Sequence, residues 1–172
     1  MPFSTAFWRK IFLFCIGLFL AAAFCMKWME NDLRVNGEKF TIMGLELFYS
    51  KEKVMAIMTG LDDHVRSILS YHLHFDFVFM AGVFPGIAAL CILAGRKVAG
   101  NPGKLLFALA VLLAVAWVCD IYENLCLLKW MKAPVIGNEF GLYHFIVAAK
   151  WIIVLSGIFV SGAVFLFVRK KN

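Results

Sequence analysis

The sequence contains little charge. Asp, Glu, Lys and Arg make up 16% of its 172 residues, whereas a soluble domain averages about a quarter. Hydrophobic residues make up 63% of the chain and the mean hydropathy is +0.85. Ionisable residues are almost absent from four stretches, at about 11–26, 77–94, 105–119 and 151–168. This shortage excludes an ordinary soluble domain, because apolar runs of about 18 residues are typical of transmembrane helices.

The chain also lacks the cysteine spacing of a metal site, and it has no internal repeat or low-complexity segment. In and beside apolar stretches its cysteines are expected to serve as small packing residues. They are Cys15, Cys25, Cys91, Cys119 and Cys126. Proline is scarce, with four residues in the chain, and one of them, Pro85, lies inside an apolar stretch. We expect it to kink that helix by freeing the carbonyl of Ala81.

Acidic residues are missing from one end of the predicted spans, where short segments carry only basic residues. These residues are Arg9, Lys10, Arg96, Lys97, Lys104, Arg169, Lys170 and Lys171. The positive-inside tendency therefore predicts a multi-pass membrane protein with both termini in the cytoplasm, in the inner membrane if the source is bacterial. The net charge of +6 does not indicate nucleic-acid binding, because the bases lie at helix ends and not on one patch.

We predict an all-α fold, a four-helix transmembrane bundle with a short amphipathic external helix, in a single domain over residues 1–172. A signal peptide over residues 8–25 is the alternative for the first apolar stretch, but we expect an uncleaved anchor. The external segment is 29–67. The predicted spans are 7–28, 68–94, 104–128 and 142–168.

The external segment carries its own helix signal. Ser50 is a good N-cap, and Val54, Ile57, Met58 and Leu61 follow at the spacing of one helix face. We therefore predict an amphipathic helix over 50–59 that lies on the outer surface and caps the bundle.

Ionisable side chains interrupt three of the spans at one depth. Asp76, Asp120 and Lys150 lie about 24–30 Å from the basic end of their helices. Glu123 shares a helix face with Asp120. Side chains at that depth should face the bundle interior, because exposing them to lipid is costly. Three carboxylates against one lysine cannot all ionise there, so a retained proton, a protonated histidine or a bound cation must balance them.

These positions predict a polar pocket that opens toward the outer leaflet. Its candidate catalytic groups are the carboxyls of Asp76, Asp120 and Glu123. We expect no cofactor and no metal. His72 and His74 diverge on a helix and cannot bind one ion together. A metal would instead need the set His72, Asp76, Asp120 and Glu123. The predicted ligand-binding residues are Asp76, Asp120, Glu123, Asn124, Tyr143 and Lys150, with His72 and Tyr122 at the edge.

The polar residues carry a resemblance. An Asp in HLHFDF, a DxxEN motif in CDIYENL and a Lys in AAKW together resemble a family of small bacterial four-span membrane proteins that has no established activity. The resemblance covers about 44–168 and implies that Asp76, Asp120, Glu123, Asn124 and Lys150 are the family's shared polar residues. In size, span count and basic tail the chain is also similar to the EXPERA group of sterol isomerases and lipid binders. That similarity is one of architecture and implies a pocket between four helices.

Two function classes follow from these observations. The first is a protein that binds a lipid or another lipophilic small molecule, with acid–base chemistry on the ligand as an enzymatic version. The second is a structural or interaction subunit, in a larger membrane complex or a homo-oligomer, whose charged residues only hold the helices together. In a further alternative Lys150 snorkels to the headgroups and forms no network. Membrane lipids are expected partners in each case, and nucleic acid is not.

Overall fold

The computed structural model describes residues 3–168, which are almost entirely helical. The basic residues at 169–171, which helped to assign the cytoplasmic end, lie outside the described residues. A one-turn 3-10 helix spans Glu30–Asp32, and a π-helical turn spans Gly44–Phe48. Two short antiparallel strands are β1 (Arg34–Val35) and β2 (Glu38–Lys39). The α-helices are α1 (Thr5–Met29), α2 (Lys51–Gly60), α3 (Asp63–Gly95), α4 (Asn101–Lys132) and α5 (Glu139–Phe167).

Four helices in residues 3–168, α1, α3, α4 and α5, are long and apolar enough to cross a membrane. The all-α fold with four transmembrane helices is therefore confirmed. Helices α1 and α3 begin before the predicted spans, and in each of them a side chain caps the first turn. Helix α3, for example, begins at Asp63 because the side chain of Asp62 accepts a hydrogen bond from the Val65 amide at 2.8 Å.

Helix α3 is the centre of the bundle. It packs against α1 on one side and against α4 and α5 on the other, and α4 also packs against α5. Within residues 3–168, α1 makes no substantial packing contact with α5. The bundle is therefore open along one side, between α1 and α5.

Small residues let α1 approach α3 closely. A Cβ at Gly82 would collide with the backbone of Cys15 and Phe19 on α1, so only glycine fits at this crossing. Helix α3 continues through Pro85. Pro85 has no backbone N–H and therefore cannot donate a hydrogen bond to the carbonyl of Ala81. That carbonyl lies 4.0 Å from the thiol of Cys15 on α1. The neighbouring helix thus supplies a weak donor to the freed carbonyl.

Residues 30–62 cover one end of the bundle and are called the cap below. Ser50 begins α2 by accepting a hydrogen bond from the Lys53 amide at 3.3 Å, as predicted. The apolar face of α2, including Val54 and Met58, is fully buried in a core that also contains Trp130 of α4. The predicted amphipathic helix therefore packs onto the end of the bundle.

Candidate functional site

Lys150 is the centre of a buried ion-pair network. Its ammonium lies 2.7 Å from an oxygen of Asp120 and 2.5 Å from an oxygen of Glu123. The side chain comes from α5 and both carboxylates come from α4, and only 5% of Lys150 is exposed. Asp120 and Glu123 reach the same nitrogen because three residues in a helix bring them to one face. The network thus joins α4 to α5, and Lys150 does not snorkel to the helix end.

Glu46 is the fourth carboxylate of the site, and the sequence did not predict it. It belongs to the π-helical turn of the cap. Its carboxylate lies 3.7 Å from the Lys150 ammonium and accepts a hydrogen bond from the indole of Trp151 at 3.4 Å. Burial raises the pKa of the Glu46 carboxyl, and the charge of Lys150 opposes that shift. The one sequence signal was a single acid inside the apolar run 42–48.

Asp76 lies beside this network and is held by a different partner. Its carboxylate accepts a hydrogen bond from the side-chain amide of Asn124 at 2.6 Å. The same amide reaches the carbonyl of Leu73 at 3.4 Å, so Asn124 ties α4 to α3. No lysine, arginine or histidine within residues 3–168 forms an ion pair with Asp76. Asp76 is thus fixed in position but lacks a counter-ion in this part of the chain.

A cavity of about 460 Å³ lies along the open side of the bundle, between α1, α3 and α5. Its volume is in the range of small-molecule sites in proteins. Its walls are apolar over most of their length and become polar at the end nearest the cap. The residues at the polar end are Glu46, Asp76, Asp120 and Lys150, beside Trp151. The apolar residues include Phe12, Ile16 and Phe19 of α1, Phe79, Val83 and Ile87 of α3, and Val154 and Ile158 of α5.

The site contains more negative than positive groups. Four carboxyls lie in it, and three of them line the cavity. Within the described residues Lys150 is the sole lysine or arginine that pairs with any of them, and it pairs with Glu46, Asp120 and Glu123. Four unscreened carboxylates around one ammonium are unstable in a site of low dielectric constant. The site therefore either retains protons on its carboxyls or takes up a further positive group.

The sequence-predicted site residues divide into two groups. Asp76, Asp120, Glu123, Asn124 and Lys150 are brought together, although Glu123 and Asn124 lie behind the cavity wall. The remaining three do not line the cavity. They are Tyr143, His72 and Tyr122.

These three residues have other surroundings. The hydroxyl of Tyr143 donates to the carbonyl of Leu45 at 3.3 Å, and its ring packs against Trp130, so it anchors the cap to α5. His72 is buried, and its Nδ1 has no hydrogen-bond partner within residues 3–168. Tyr122 is half-buried on α4.

The site does not have the donor arrangement of a metal centre. Within residues 3–168, no group of three or more His, Cys, Asp or Glu side chains is placed to hold a metal ion. His72, which a metal would have required, does not line the cavity.

Comparison with known proteins adds no assignment. No family model matches the chain, and no curated protein or solved structure matches it either. The resemblance to small bacterial four-span membrane proteins therefore stays a prediction, and the function must be argued from the site.

Proposed function

We propose that this protein binds an amphiphilic molecule in the cavity between α1, α3 and α5. The observation that carries the proposal is a single cavity whose long apolar part ends in a buried polar site. An amphiphile has the same division: its tail would contact the apolar walls, and its head group would lie among Glu46, Asp76, Asp120 and Lys150. The open side between α1 and α5 would let such a molecule enter from the lipid phase.

The dimensions of the cavity support this ligand class. Asp76 at the polar end and Ile87 at the apolar end both line the cavity on α3, and the helix between them is about 16 Å long. That length suits a single alkyl chain or a flat polycyclic body more than a small polar metabolite. Acid–base chemistry on the ligand would use Asp76 or Asp120, because these two candidate catalytic carboxyls line the cavity and Glu123 does not.

Native mass spectrometry of gently purified protein tests the proposal. We expect the wild type to carry a co-purifying amphiphile. Val83→Phe, which fills the cavity, should lose it. The matched control is Val118→Phe, the same change at a side chain of α4 that is 65% exposed, and it should retain the ligand. Equal occupancy in wild type and Val83→Phe would contradict binding in this cavity.

The second candidate is a structural subunit, in which the polar residues only join helices. The short contacts of Lys150 with Asp120 and Glu123 favour it, because they link α4 to α5 whether or not a ligand is present. Under this reading the wild type would carry nothing, and added amphiphiles would not discriminate between wild type and Val83→Phe.

We also propose that the cap faces the cell exterior and that both termini are cytoplasmic, in the inner membrane if the source is bacterial. The support is the acid-free basic segments at the opposite end of the bundle. Labelling with a membrane-impermeant thiol reagent tests the orientation. Lys39→Cys in the cap should react in intact cells, and the matched Lys104→Cys should react only after permeabilisation, with wild type giving the background of the native cysteines. The reverse pattern would invert the topology.

A further inference from the structure

The polar end of the cavity has a charge that restricts which head groups it can accept. We propose that the ligand is a lipophilic amine or another cationic amphiphile, and that Asp76 is the counter-ion of its positive head group. This inference rests on the proposed function, because it specifies the ligand of the same cavity.

The first argument is that the charge of Lys150 is already balanced within the protein. Its ammonium donates hydrogen bonds to Asp120 at 2.7 Å and to Glu123 at 2.5 Å, and the carboxylate of Glu46 lies within ion-pair distance at 3.7 Å. Lys150 is the sole lysine or arginine that lines the cavity in the described chain. A phosphate or carboxylate head group would therefore meet no free cation. It would also be repelled by those of the three carboxyls at the cavity wall that are ionised.

The second argument is that Asp76 offers a carboxyl that has no counter-ion within the described residues. The amide of Asn124 holds one of its oxygens at 2.6 Å, and no basic side chain within residues 3–168 pairs with it. Asp76 lines the cavity. An ammonium or a protonated amine at this point would gain a charge-assisted hydrogen bond, and it would reduce the repulsion among the carboxyls.

The third argument comes from the aromatic side chains nearby. The Trp151 ring lines the cavity beside Glu46, and its face already lies 5.5 Å from the Lys150 ammonium. Phe79 of α3 also lines the cavity. Aromatic faces attract cations, most strongly where water is excluded. The combination of carboxylates and aromatic rings above an apolar channel fits a cationic head with a hydrocarbon tail.

Three probes with the same chain and different heads test this inference: dodecylamine, dodecanol and dodecanoate. Their binding to purified protein in nonionic detergent is measured by native mass spectrometry over a range of concentrations. For the wild type we expect the apparent Kd of dodecylamine to be at least about tenfold below that of dodecanol, which corresponds to about 1.4 kcal/mol. Dodecanoate should bind most weakly.

Variants locate the effect. Asp76→Asn keeps an oxygen for the Asn124 amide and removes the charge, so it should abolish the preference for the amine. Asp63→Asn, the same change at an exposed position of α3, should leave the preference unchanged. Glu46 lies in the cap, outside the transmembrane helices, and Glu46→Gln should reduce the preference for the amine. This variant keeps the test valid if Asp76→Asn does not fold.

The outcomes separate the two proposals. Suppose that dodecanol or dodecanoate binds the wild type as tightly as dodecylamine does, and that all binding is lost in Val83→Phe. This result would overturn the cationic ligand and leave the proposed cavity function intact. A preference for the amine that survives in Asp76→Asn would overturn the role of Asp76. If no probe binds the wild type better than Val83→Phe, the proposed function itself fails.

Discussion

Replacing Lys150 by methionine tests the ion-pair network most directly. Methionine has an unbranched apolar side chain about as long as the stem of lysine, so the change removes the charge and leaves most of the packing. The carboxylates of Asp120 and Glu123, at 2.7 and 2.5 Å from the lost ammonium, would then lie buried without a counter-ion. Breaking a buried ion pair on one side costs about 3–5 kcal/mol. We expect the free energy of unfolding to fall by this amount.

A surface lysine provides the matched control. Lys129 forms an ion pair with Glu139 at 3.7 Å, but its side chain is 67% exposed. Exposed pairs contribute about 0–1 kcal/mol, so Lys129→Met should be nearly neutral. Both variants can be compared with wild type by titrating a denaturing detergent into protein in a mild detergent, with helicity followed by circular dichroism.

A second substitution separates charge from packing. Adding Asp120→Asn to Lys150→Met removes one of the uncompensated carboxylates and should recover part of the lost stability. If Lys150→Met unfolds at the same detergent fraction as Lys129→Met, the ammonium does not hold α4 to α5 and the network has no energetic role. If the double variant is less stable than Lys150→Met, the loss comes from packing and not from charge.

Three further predictions concern the contacts that position the site, each measured by the same unfolding titration. Gly82→Leu should destabilise the protein by about 1–3 kcal/mol or more through overpacking at the α1 crossing. Gly17→Leu should be neutral, because a side chain there would meet open space. Equal effects of the two substitutions would contradict the close crossing. Tyr143→Phe should cost about 0.5–1.5 kcal/mol because it removes the hydrogen bond to the Leu45 carbonyl, and no loss would mean that the cap is held by packing alone. Ser50→Ala should cost about 1 kcal/mol through the lost N-cap hydrogen bond, and amide exchange at the start of α2 should become faster. Unchanged exchange there would argue against the role of Ser50 as the N-cap of α2.

Most of the site was predictable because it lies on regular helices. Helical spacing placed Asp120 and Glu123 on one face, and equal distances from the basic helix ends placed Asp76 and Lys150 at the same depth. The structure brings these four residues together with Asn124.

Glu46 could not be predicted in the same way. It lies in the cap, where no helical period links its position to residues of the spans, and its contact with Lys150 crosses more than a hundred positions of sequence. Tyr143 shows the opposite case. It shares a helix face with Lys150, seven residues away, but its hydroxyl lies within reach of the Leu45 carbonyl and donates there. Spacing along a helix defines a face, and the partner that covers that face is a tertiary property.

The sequence by itself determined the four transmembrane helices, the short amphipathic helix α2 and the end of the bundle near which Asp76, Asp120, Glu123 and Lys150 lie. These are consequences of local hydrophobicity, capping and helical period, which act over a few residues. The tertiary structure decided that α1 packs on α3 and stays apart from α5, because the fit of Gly82 against the α1 backbone selects that pairing. It thereby decided that a cavity exists and which carboxyls line it. Helix pairing depends on the shapes of two surfaces that are distant in sequence, and neither surface specifies the other through its own hydrophobic pattern.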